Sequence, residues 1–88
     1  MYISNKNNTK SLYYVLYGKI APTIKLIRQK KNLKQEYVAF KLGTSCASYA
    51  NIENNRVEIS IKHLAQLAFI FEMQVSEIVK MAEEFLLS

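Results

Sequence analysis

The 88-residue chain has no tryptophan, one cysteine (Cys46), one proline (Pro22), one histidine (His63) and two glycines (Gly18 and Gly43). Each scarcity removes a class of explanation. One cysteine cannot close an internal disulfide, which fits a reducing cytoplasm. Two separate glycines make no Gly-rich loop of the kind that cradles phosphates. Cys46 and His63 fall on different expected helices, so neither a metal centre nor a Cys-His nucleophile is expected. With no credible carboxylate pair either, the reading is of a non-enzyme without cofactor. Long apolar runs are also missing. The nearest, residues 64–71, is broken by Gln66 and falls far short of the ~20 residues of a membrane span. The opening MYISNKNNTK is polar and lacks a basic-then-apolar order, so it does not read as a secretory signal.

What is present is a foldable chain of one domain. Half of the residues are hydrophobic and 22% are charged, enough apolar content for one modest core. The net charge of +5 is unevenly spread. Residues 1–62 hold every Lys and Arg but Lys80 against Glu36, Glu53 and Glu58; residues 63–88 hold Lys80 against Glu72, Glu77, Glu83 and Glu84. A basic end and an acidic end suggest one surface for DNA and another for different contacts, the alternative being lysines that only solvate the surface.

Residues 35–54, QEYVAFKLGTSCASYANIEN, carry two short helical patterns separated by a glycine. Val38 and Leu42 share one face of a first helix, Tyr49 and Ile52 one face of a second, and Gly43 supplies the tight turn. That is the spacing of a helix-turn-helix. Ala39 has a side chain small enough for two helices to cross closely. The second helix turns outward a face of small and polar groups, which suits a groove better than a core.

Other helices are expected on either side. One starts near Pro22 and runs to Lys31 with Ile24 and Ile27 inward; Asn32 after it is the non-glycine residue that best tolerates a left-handed helix end. Lys34 takes the capping position before the helix over 35–42, which weakens that start by about 1 kcal/mol relative to a good cap. Ser60 is expected to cap a helix whose stripe is Leu64, Leu67, Ala68 and Phe71. Ser76 is expected to cap the last helix, with Glu77 in its first turn. Residues 1–20 form a polar tail followed by LYYVLY at 12–17, a strand by propensity or a helical turn leading into the first helix. Its apolar side chains, Tyr14 among them, are read as a partner contact, with packing across the first and last helices as the alternative. Phe85 and Leu86 near the C-terminus are the other candidates for a dimer contact, or else close the core.

Residues 24–77 resemble the phage-repressor-like helix-turn-helix domain of the Cro/C1 or XRE type. The resemblance rests on Ile24, Arg28, Leu33, Gln35, Glu36, Ala39, Leu42, Gly43, Ser45, Ile52, Glu53, Asn54, Leu64, Leu67, Ala68, Val75, Ser76 and Ile78. It implies an all-α fold, a compact five-helix bundle over residues 21–88 with residues 1–20 as an N-terminal extension. It also implies a DNA-binding transcription regulator, a repressor acting as a homodimer on a two-fold-related operator, cytoplasmic and bacterial, on the nucleoid when bound. By this resemblance Ser45, Cys46, Ala47, Ser48 and, one turn on, Asn51 face the bases; the Asn51 amide can pair with adenine N6 and N7. Gln35 matches the residue that bonds a phosphate and braces the reading helix. Asn54, Asn55 and Arg56 resemble the phosphate-contacting loop, and Lys34 is a further phosphate candidate. Arg28 and Glu53 match a partly buried structural salt bridge. Two other readings stand beside the repressor: an antitoxin that represses its own operon while holding a toxin or other regulatory protein, and a protein-interaction module on the same fold. Cys46 is considered as an oxidation-sensitive switch.

Overall fold

The computed structural model describes residues 14–87, with side chains to residue 86. The polar tail at 1–10, with Leu12 and Tyr13, lies outside the described residues. Five helices follow: α1 (Ile20–Lys30), α2 (Gln35–Leu42), α3 (Cys46–Glu53), α4 (Ile61–Ile70) and α5 (Val75–Leu87). No strand occurs among the described residues, and residues 14–18 are helical, so the strand option for the aromatic run gives way to the helical one. The run stays helical because Leu16 and Tyr17 pack against the core from one side of a turn, whereas Tyr14 and Val15 stay exposed. Tyr17 also donates its hydroxyl to the Ile59 carbonyl at 3.0 Å, fastening this stretch to the loop before α4.

One core joins all five helices. Ile24 and Ile27 of α1, Val38, Ala39 and Leu42 of α2, Tyr49 and Ile52 of α3, Leu64, Leu67 and Ala68 of α4, Phe71 just after it, and Ile78 and Ala82 of α5 are buried together. Each set recurs at the three- and four-residue spacing of one helix face. α1 opens two residues before Pro22, at Ile20. Proline is harmless there because the first N–H groups of a helix have no intrahelical acceptor.

Four helix ends use one device. After α1, α2, α3 and α4 the chain passes through a left-handed residue, at Asn32 (φ 57°), Gly43 (φ 79°), Asn55 (φ 58°) and Glu72 (φ 57°). The next N–H then reaches back over the last turn: Leu33 to Arg28, Thr44 to Ala39, Arg56 to Asn51 and Met73 to Ala68, at 2.8 to 3.0 Å. Asn at 32 and 55 is the expected stand-in for glycine; Glu72 has no such preference and could not be anticipated.

The starts are more varied. Ser60 caps α4 by accepting from the His63 N–H at 3.0 Å, and Lys34 provides no side-chain cap to α2. α5 corrects the expected boundary. It begins at Val75, which puts Ser76 inside the first turn, and Glu77 takes over the capping by accepting from the Gln74 N–H at 2.9 Å. The longer carboxylate reaches back to that N–H as in a capping box.

Candidate nucleic-acid interface

α2 and α3 meet across the turn at Gly43, whose positive φ, not crowding, is what calls for glycine: an added Cβ would meet nothing within 4 Å. Ala39 is buried where the two helices cross. Ser45 is the N-cap of α3, its hydroxyl accepting from the Ser48 N–H at 3.1 Å and donating to the Ser48 hydroxyl at 2.9 Å. Both serines therefore first serve the helix start, with lone pairs left over for an outside donor. Ser45, Cys46, Ala47 and Ser48 are exposed and Asn51 is half-buried, whereas Tyr49, Ile52 and Glu53 are buried. The helix thus divides into an outward face without charge and an inward face that holds it in place.

What holds it is a hydrogen-bond network around the Glu53 carboxylate, whose side chain is fully buried. Arg28 of α1 donates from Nε at 2.6 Å and from Nη2 at 3.2 Å. Gln35, the first residue of α2, donates from Nε2 at 3.0 Å, and Tyr49, one turn back on α3, donates its hydroxyl at 2.5 Å. The remaining Arg28 nitrogen, Nη1, donates to the Leu33 carbonyl at 2.7 Å, tying in the α1–α2 connection. One carboxylate thereby fixes three helices and a turn. Burial pushes the Glu53 carboxyl upward, but the donors from Arg28, Tyr49 and Gln35 outweigh it and hold it below the usual carboxylate range. Arg28 is raised, chiefly by its hydrogen bond to Glu53. Tyr49 is raised by burial and by the hydrogen bond its hydroxyl donates to the carboxylate.

The expected Arg28–Glu53 pair is thus present. Two of its partners were not expected. Tyr49, expected in the core, also donates to Glu53, and its spacing of four from that residue is the local signal for the contact. Gln35 is the residue expected to contact a phosphate and to brace α3. Its side-chain nitrogen is on Glu53, so the bracing is direct, and no side chain of Lys34 caps the helix start beside it.

The loop after α3 carries one contact besides. Asn54, Asn55 and Arg56 are all exposed, but the Asn55 amide donates to the Gly18 carbonyl at 2.9 Å. Asn55 therefore secures the N-terminal stretch to the end of α3 with one amide N–H, while its second amide N–H and its carbonyl oxygen remain for other partners. Among the described residues, no hydrogen bond engages the side chain of Asn54 or Arg56. Among the dimer candidates, Tyr14 is 61% exposed, Phe85 37%, and Leu86 is half-buried. Lys19 places its ammonium 5.3 Å from the centre of the Phe85 ring, so that ring is engaged within its own chain.

A helix-turn-helix family model matches residues 24–78, from the middle of α1 to the start of α5, more than half of the chain. The chain belongs to the Cro/C1-type helix-turn-helix family. The crystal structure of the clp gene regulator ClgR from Corynebacterium glutamicum superposes with a TM-score of 0.76, at 18% identity, over 81% of this chain and 76% of that one. At that identity the likeness speaks for the shared helical fold. No curated protein sequence matches the chain. Cro/C1-type membership makes it a DNA-binding transcription regulator. No helix among the described residues is long and apolar enough to cross a membrane.

Proposed function

We propose that this Cro/C1-type domain is a sequence-specific repressor that sets α3 into the major groove of a two-fold-related operator. One observation supports this most: α3 turns an uncharged face of small groups outward while its opposite face is locked to α1 and α2 through Glu53. A reading helix must be slim enough to enter the groove and must keep its orientation once there. Asn51 is the residue able to pair bidentately with adenine, and Ser45, Cys46, Ala47 and Ser48 make the smaller contacts at the N-terminal end. With neither Arg nor Gln on this face, base contacts discriminate weakly and DNA shape carries part of the selectivity.

Affinity comes from around the helix. The Gln35 N–H at the start of α2, Lys34 beside it, and Arg56 and Asn54 beyond α3 are placed on the two segments that flank the reading helix, as phosphate contacts must be. Two copies on one duplex face require half-sites about 34 Å apart.

Selection of bound sequences from a random duplex pool tests the proposal. Enrichment of an inverted repeat with half-sites one helical turn apart supports it, and affinity for that repeat should fall steeply with rising salt. A pool that stays unenriched at low salt overturns it.

A further inference from the structure

The most exposed large apolar side chain of the described structure lies on α4, and a second on that helix is as exposed as Phe40 of α2. Phe69 is 86% exposed and Ile61 80%. With exposed Ala65 between them they stand at intervals of four and form one stripe along the helix. The core does not use them, since Leu64, Leu67 and Ala68 make the inward face. Single exposed apolar residues are ordinary, but here a receptor for one of them lies on the same chain. Ile61 forms part of the wall of an apolar groove of about 260 Å³, with Tyr17, Ile20, Ile59, Leu64 and Val79. An apolar space of roughly 150 Å³ already admits a benzene ring. The chain thus carries an aromatic knob and an apolar hole eight residues apart on one helix, about 12 Å along its axis.

A knob at one end of a helix and a hole at the other close only when two such helices run antiparallel. A two-fold axis beside Ala65 sets each Phe69 over the other copy's Ile61 and groove, so two knobs fill two holes and the pair is complete. Ala65 at the axis is short enough for the helices to approach. Charge agrees with this register. Lys62 flanks the stripe near the start of α4 and Glu72 follows its end, so antiparallel pairing brings each lysine toward the other copy's glutamate and opposes the two helix dipoles. We infer that the outer face of α4 is the docking surface for a second copy of this chain, with Phe69 as the anchor in the groove beside Ile61. α4 is favoured over α5 because Phe85 is less than half as exposed as Phe69 and already lies under Lys19.

This inference deepens the two-fold reading above and rests on it only in expecting a pair. No DNA enters its test, so the failure of one is distinguishable from the failure of the other. Sedimentation equilibrium of the full chain over a concentration series should show a reversible monomer–dimer equilibrium. Phe69→Lys should raise the dissociation constant by about tenfold or more, with an unchanged melting temperature at concentrations where both chains are monomeric, since the ring is exposed. In a Cys46→Ser background, Ala65→Cys should oxidise to a covalent dimer, whereas Ser76→Cys on α5 should not. A wild type that stays monomeric throughout, the outcome if another segment fills the groove, overturns the inference. So does a Phe69→Lys variant that pairs as tightly as wild type, or a Ser76→Cys variant that cross-links as readily as Ala65→Cys.

Discussion

Tyr49 and Glu53, one turn apart on α3, share a buried hydrogen bond of 2.5 Å in which the phenol donates to the carboxylate that also holds Arg28 and Gln35. The reading helix thus contributes both the acceptor and one of the donors that fix it. Tyr49→Phe keeps the ring and its packing and removes only that donor, so it should cost about 1–3 kcal/mol. For a chain of this size the melting temperature should fall by several degrees per kcal/mol, measurable by circular dichroism.

Glu53→Ala should be worse, by about 3–5 kcal/mol. It leaves the Arg28 guanidinium, only 11% exposed, without its counter-charge and also strands the Gln35 and Tyr49 donors. A chemical-denaturation midpoint equal to that of wild type would remove Glu53 from the centre of the fold.

The same carboxylate sets an acid limit. Its pKa lies below the ordinary glutamate value of 4.5 in the folded chain, so as pH falls the unfolded chain binds the proton first. The stabilisation it provides is fully present above about pH 4.5 and is lost as pH falls through the lower folded value. Thermal melts from pH 7 down to pH 2 should show stability dropping in that acid range. In Tyr49→Phe the carboxylate has one donor fewer and its folded value lies closer to the ordinary one, so the drop should start at the same pH, be smaller and end at higher pH.

Glu72 holds a φ of 57° without the local preference of Asn or the freedom of Gly. Glu72→Gly should therefore stabilise by about 0.5–1 kcal/mol. Asn55→Gly, at nearly the same φ, should gain less or nothing, because it also deletes the bond to the Gly18 carbonyl. Parallel denaturation curves of the two variants check the contrast.

On DNA, Arg56→Ala should weaken binding to all sequences alike and lower the salt slope by about one phosphate contact. Asn51→Ala should instead relax the preference for adenine at one position, by up to about 1–3 kcal/mol of discrimination. Binding titrations on a matched set of single-base variants separate the two effects. An unchanged preference in Asn51→Ala means that another residue reads that base.

The helices and their inward faces were legible because helical periodicity is local: Ile24 and Ile27, Val38 and Leu42, Leu64 and Leu67 declare a buried side within a few residues of chain. Turns with Asn32, Gly43 and Asn55 were legible for the same reason, since left-handed residues are chosen by their own side chains. Ser76 and Glu72 were not. Which of two neighbouring groups caps α5, and whether a glutamate is forced through positive φ, depend on how α4 and α5 are pulled onto the core.

The sequence by itself determined an all-helical domain with a helix-turn-helix at residues 35–54 and an uncharged outer face on its second helix, because each of these is written in spacing and residue size. Tertiary structure alone decided that Gln35 and Tyr49 join Arg28 on Glu53, that Asn55 reaches Gly18, and that Tyr17 bonds Ile59. It also decided that Phe69 stands outside the core while a groove opens beside Ile61. Apart from the Tyr49–Glu53 turn, these partners lie 18 to 42 residues apart, where no local pattern constrains a side chain. Their meeting is set by how the helices cross, and that is settled only when one shared core is packed.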